Sequence, residues 1–208
     1  MKISILLPYK ENFSPNYPGA VSLFIKDVSG ISDFKKNIIV YGTTIFKKKF
    51  PLKYINLEIK KKTFKSQSEN YIEQFIKKER VNNSDLIEIH NRPSYLKYLI
   101  SNKINSKYIL YFHNDPLSMR GSKSINDRIF LLNNCSRIVF NSQWSKKKFL
   151  ENIKSKYVNS EKLLIIYQSS IKEKIDLRKK KKWITFVGKL NKAKGYDIFG
   201  KAVIKILN

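Results

Sequence analysis

The chain has 208 residues, 42% hydrophobic and 13% aromatic, enough to bury a core and to exclude a disordered chain. Its single cysteine, Cys135, excludes an intrachain disulfide and a cysteine-rich metal site. The net charge of +26 comes from 42 basic residues, only six of them arginine, scattered through an Ile- and Asn-rich chain in the manner of an AT-rich codon bias. Clustered arginine with interleaved aromatics is missing, so nucleic acid is not an expected partner. If the charge has a partner at all, an anionic membrane surface is the more economical one, at about 1 kcal/mol per nearby basic residue.

In chain order, "KISILLPY" (2–9) predicts a strand. Its one basic residue and short apolar core do not make a signal peptide, and no stretch approaches a membrane span, so a cytoplasmic chain is expected, peripheral to the membrane at most. "GAVSLFIKDVSGIS" follows as a helix with Val21, Phe24, Ile25 and Val28 on one face. "NIIVYG" (37–42) and "YINLEI" (54–59) are strands, and "SENYIEQFIKKE" is a helix with Ile72, Phe75 and Ile76 at helical spacing. "DLIEIH" (85–90) is a strand, "PSYLKYLI" a helix with proline at its first position, and "KYILYF" (107–112) a strand. "SINDRIFLL" is a helix with Ser124 and Asp127 in capping-box spacing, followed by strand "RIVFNS" (137–142), helix "QWSKKKFLENI" and strand "EKLLIIYQ" (161–168).

Apolar strands separated by helices predict a doubly wound, Rossmann-like α/β domain over 1–171, with a parallel sheet covered on both faces. Residues 172–182, "KEKIDLRKKKK" with the tryptophan-flanking lysines, break the pattern as a charged linker. A new unit then opens at 183–208, with a strand "WITFVGKL" (183–190) and a helix, too little to bury a core alone. The second domain is therefore expected to be truncated.

Ligands of open parallel sheets bind beyond the carboxyl ends of the strands. There the sequence places His90, Asn91 and Arg92 after one strand, His113, Asn114 and Asp115 after another, and Asn141 and Ser142 after a third. Both histidines of the chain thus hold equivalent positions on different strands. Arg92 and Arg120, two of the six arginines, suit bidentate contact with a phosphate or carboxylate. Gly19 opens the first helix and suits close approach to an anion. Blander roles remain open: Asn141 and Ser142 as helix caps, Asp115-Pro116 as a turn, Cys135 as a buried small residue. Neither GxGxxG nor GxxxxGK[ST] occurs, and two histidines with one cysteine leave too few ligands for a zinc site, so no metal or cofactor is expected.

"WITFVGKLNKAKGYDIF" resembles the opening of the nucleotide-sugar domain of the retaining GT-B glycosyltransferases that build lipopolysaccharide, glycolipids and polysaccharides. The matching positions are Phe186, Val187, Gly188, Lys189, Leu190, Lys194, Gly195 and Asp197. "PNYPGA", "YFHNDP" with His113, and "FNSQWS" resemble segments of that family's acceptor domain. The resemblance implies a glycosyltransferase acting on a nucleotide sugar and a glycan or lipid-linked acceptor. It makes Lys189 and Lys194 donor-diphosphate ligands and His113 the catalytic, sugar-contacting residue, with Gly19, His90, Asn91, Arg92, Asn114, Asp115, Arg120 and Ser142 around the substrates in an interdomain cleft. Lys189 stands where the family has arginine, which keeps the charge and loses the fork. The family's later pair of glutamates, eight positions apart, is not in the sequence, so the 208 residues are expected to be inactive alone. The other reading is a non-catalytic acceptor-binding module, or one subunit of a split enzyme.

Overall fold

The computed structural model describes residues 1–59, 65–168, 181, 183–188, 190 and 192–207. They divide into two compact units, Met1–Ser169 and Ser170–Asn208.

The first unit is built on seven strands: β1 (Ile3–Leu6), β2 (Ile38–Gly42), β3 (Tyr54–Asn56), β4 (Leu86–His90), β5 (Lys107–Phe112), β6 (Arg137–Phe140) and β7 (Leu163–Ile165). All pair in parallel, in the order β3-β2-β1-β4-β5-β6-β7. The order runs outward from β1 to β3 and then restarts on the other side of β1, so β1 and β4 flank the switch point of a doubly wound sheet. This is a Rossmann-like α/β fold.

Crossover helices cover the two faces unequally. On one side, α1 (Ala20–Ile31) packs Val21 and Ile25 against Ile3, Ile5 and Leu7. On the other lie α2 (Gln67–Asn82), α3 (Tyr95–Ser101), α4 (Ile125–Asn134) and α5 (Gln143–Leu150). There Ile72, Phe75, Leu96, Leu131 and Phe149 share one core with Leu6, Ile89, Leu110 and Phe140. Cys135 is buried in that core, and burial pushes its thiol up to about 12, leaving it inert at neutral pH.

The elements follow local chemistry, with instructive departures. Ser66 and Glu69 close a full capping box on α2, and Ser124 caps α4 by accepting from the Asp127 N–H. Val28 is exposed, because α1 is rolled to bury Ser22 and Ser29 instead. Glu11 enforces that roll: its Oε1 accepts from both the N–H (3.0 Å) and the hydroxyl (3.2 Å) of Ser22. Pro93 lies just ahead of α3 and does not open it; Ser94 is the cap residue. Two strands stop short of their apolar runs where side chains take over from the ladder. Asn56 Oδ1 accepts from the Thr44 N–H (2.8 Å), ending β3, and Asn141 turns its amide to the His113 carbonyl beyond β6. β7 holds only Leu163–Ile165 of the expected 161–168.

The second unit has a 3-10 turn at Lys192–Lys194, Gly195 at φ +71°, and α6 (Tyr196–Leu207). The expected strand over 183–190 is not formed among the described residues, which include no second strand in this unit to offer a ladder. Most of the linker proposed at 172–182, and Lys189, lie outside the described residues.

Candidate active site at the carboxyl end of the sheet

His113 follows the last residue of β5 and is held at every polar atom. Its backbone N–H donates to Asn91 Oδ1 (2.8 Å), and its carbonyl accepts from Asn141 Nδ2 (2.8 Å). Its Nε2 meets His90 Nδ1 at 2.9 Å, and its Nδ1 meets the Gln168 amide nitrogen at 2.8 Å. The ring stands edge-on to Phe24 of α1, with centroids 5.1 Å apart. Burial, and next the neighbouring His90, push its pKa down from 6.5 to about 3, so the imidazole is neutral at physiological pH.

With the amide nitrogen of Gln168 facing His113, one tautomer set satisfies both ring contacts. With the Gln168 amide donating, His113 Nδ1 accepts and its proton sits on Nε2, donating to His90 Nδ1. The His90 proton then lies on Nε2. That atom is buried and lies 3.5 Å from Glu88 Oε2, too far for a hydrogen bond, and it has no hydrogen-bond partner among the described residues. His90 itself is fully buried, stacked on Tyr111 at 4.5 Å. The two histidines, offset by one strand and one pleat, form a directed pair on the α1 side of the sheet.

On the opposite side of the same edge lies a cavity of about 540 Å³ between α2, α3 and the β5–α4 loop. Asn91, Arg92, Asn114 and Arg120 all line it. Asn91 adopts φ +52°, a left-handed conformation that asparagine tolerates, and this turns Arg92 away from the strand. Arg92 Nη1 donates to the Asn91 carbonyl (2.8 Å). The loop carrying Asn114 and Arg120 is tightly built. Asp115 accepts from the Leu117 N–H, Ser122 Oγ donates to the Pro116 carbonyl (2.5 Å), and Gly121 sits at φ +92°. A Cβ on Gly121 would stand 2.6 Å from the Ser94 backbone, so only glycine lets the loop lie against the start of α3.

The structure therefore sorts the candidate residues. His90 and His113 form one group; Asn91, Arg92, Asn114 and Arg120 form another, linked through the Asn91–His113 bond. Asp115 caps the 3-10 turn Pro116–Ser118, and Ser142 caps α5 through the Ser145 N–H (3.1 Å). Gly19 backs onto Glu11, whose carboxylate a Cβ would overlap at 1.9 Å; the helix start expected to meet a ligand anion is met by the chain's own carboxylate. Lys194 lies in the 3-10 turn of the second unit, and Lys189 lies outside the described residues. Asn141, named at the end of its strand, joins the site through the His113 carbonyl, and Gln168, Gly121 and Phe24 are members the sequence did not point to. Among the described residues, no group of three or more His, Cys, Asp or Glu is placed to hold a metal ion. No described helix is long and apolar enough to cross a membrane.

Solved structures share this fold. HepE of Anabaena in complex with UDP and glucose aligns at TM-score 0.51 and 15% identity, over 80% of this chain and 44% of that one. Its complex with UDP-glucose gives TM-score 0.51 and 15% identity, over 80% and 43%. A sucrose-phosphate synthase from Thermosynechococcus elongatus aligns at TM-score 0.54 and 10% identity, over 82% of this chain and 90% of that one. The chain thus spans less than half the length of the HepE chain it matches. No protein-family model and no curated protein matches the sequence.

Proposed function

We propose that this chain belongs to a retaining GT-B glycosyltransferase, which transfers a sugar from a nucleotide donor to a glycan or lipid-linked acceptor in cell-surface polysaccharide or lipopolysaccharide synthesis. The observation that carries the reading is His113, a neutral imidazole clamped at the carboxyl end of β5, next to the central strand β4 of a doubly wound sheet. Solved proteins of this fold bind UDP and UDP-glucose, which supports a nucleotide-sugar donor.

On this reading a sugar or acceptor hydroxyl takes the place of the Gln168 amide and donates to His113 Nδ1. A neutral histidine serves here by orientation, since its hydrogen bond costs no charge and no reorganisation. Lys194, with Lys189, grips the donor diphosphate, and the donor phosphate assists deprotonation of the acceptor on the face the diphosphate leaves. The enzyme would work at the cytoplasmic side, peripheral to an anionic membrane, with no metal or further cofactor.

Replacing Lys194 with Ala weakens UDP-glucose binding by about tenfold or more, read by calorimetry, as loss of a charge-assisted contact requires. Unchanged affinity overturns the donor-site assignment. The binding-module reading is favoured by one observation: Met1–Ser169 closes a seven-stranded sheet and its own cores. It predicts no affinity for UDP-glucose in any variant.

A further inference from the structure

The cavity beside α3 concentrates cationic and hydroxyl groups that the sugar-contacting histidine does not use. Arg92 and Arg120 enter it from two different segments, the turn after β4 and the loop after β5. Neither guanidinium forms an ion pair among the described residues. Glu69 is the one acid in the lining, and its carboxylate is already committed. Oε2 accepts from the Ser66 N–H and hydroxyl (2.9 Å each), and Oε1 accepts from the Tyr98 hydroxyl (3.0 Å). Those bonds, the Ser66 contacts first, with the charge of Arg120 adding to them, hold Glu69 below the ordinary carboxylate range, so it remains an anion that caps α2 and offsets one of the two arginines. The cavity therefore keeps a surplus of positive charge.

Arg92 is held through its side chain, and Arg120 sits on a constrained stretch of backbone. Arg92 is braced on the Asn91 carbonyl and against the Tyr95 side chain, which holds its fork at the cavity wall. Arg120 precedes Gly121, whose backbone is locked against Ser94. In the same lining, Asn114 and the serine side chains supply neutral hydrogen-bonding groups, and the Tyr98 ring supplies an apolar wall. Two planar forks from different segments in a polar, aromatic-walled cavity suit an oxyanion carried on a polyol.

We propose that this cavity binds a sugar bearing a phosphate or carboxylate, with Arg92 and Arg120 gripping the anionic group, and that this ligand is the acceptor. The word acceptor rests on the glycosyl-transfer reading; the anion-binding site does not. The ligand would lie against Asn91 and Asn114, the residues that bond to and follow His113, which places it at the edge of the same catalytic end.

The test titrates the 208-residue chain with glucose 1-phosphate, glucuronate and methyl glucoside at physiological salt, in parallel with UDP-glucose. Vesicles with and without phosphatidylinositol form a further arm, to separate a soluble sugar anion from a lipid headgroup. The proposal expects glucose 1-phosphate or glucuronate to bind and methyl glucoside not to bind. Arg92→Gln and Arg120→Gln should each weaken binding about tenfold, while Arg92→Lys restores part of it. The double variant Lys77→Gln/Lys78→Gln, exposed on α2 away from the cavity, should leave binding unchanged. Equal loss from the lysine variant means diffuse attraction to a basic surface and overturns the proposal, as does unchanged affinity in both arginine variants. Binding confined to phosphatidylinositol vesicles, lost in the arginine variants, assigns the source to a lipid headgroup. Sugar-anion binding without UDP-glucose binding overturns the Lys194 donor contact in this chain and leaves the cavity site standing.

Discussion

Two buried polar clusters stand at opposite ends of the same sheet, and they are finished differently. At the amino end, Glu79 is buried with both oxygens satisfied: Oε1 accepts from the Ser84 N–H (2.6 Å) and Oε2 from the Ser4 hydroxyl (2.6 Å). Asn82 donates to Ser84 Oγ (2.7 Å), closing the network. At the carboxyl end, His90 Nε2 is buried without a hydrogen bond among the described residues, His113 is partnered by an exposed Gln168, and a cationic cavity opens alongside. A satisfied network ties β1, β4 and α2 together and has nothing left to offer. An open one costs stability and keeps atoms for a ligand.

The sharpest way to break this contrast is at the amino end. Glu79→Ala leaves the Ser84 N–H and the Ser4 hydroxyl buried and unpaired, which should cost on the order of 2–4 kcal/mol in urea unfolding. Any ligand affinity of the folded fraction should stay the same, because the cluster faces away from the carboxyl edge. A comparable loss of affinity would mean that the two ends are not separate in role.

Gly121→Ala tests how the cavity is built. The strained φ and the contact with Ser94 should cost about 1–3 kcal/mol, and the loop should shift enough to lower affinity for glucose 1-phosphate. The same substitution at Gly195, which has open space around it, pays only for its positive φ and should leave that affinity unchanged.

The architecture was legible in the sequence because its strands are mostly apolar and, β2 and β3 apart, are separated by helical spacing. Burial of Ile72, Phe75 and Ile76 followed directly from their period. The departures trace to contacts distant in sequence. Nothing local shows that Glu11 rolls α1 and hides Val28's expected place, or that Asn56 and Asn141 end their strands through side chains. The scarcity of arginine pointed to Arg92 and Arg120, and the structure brings both to one cavity. The paired histidines were legible as strand-end residues, whereas their direct bond depends on a one-pleat offset between β4 and β5. Gln168 was beyond reach, since it meets His113 across 55 positions of sequence.

The most direct measurement is a long-range nitrogen–proton NMR spectrum of the histidine rings over a pH titration, unambiguous because the chain has only two. The account predicts that His113 carries its proton on Nε2, with Nδ1 unprotonated, and shows no titration on descending through 6.5, because its pKa lies at about 3. A His113 that titrates near 6.5, or that carries its proton on Nδ1, would contradict the claim that this end of the sheet presents a neutral, ligand-accepting imidazole.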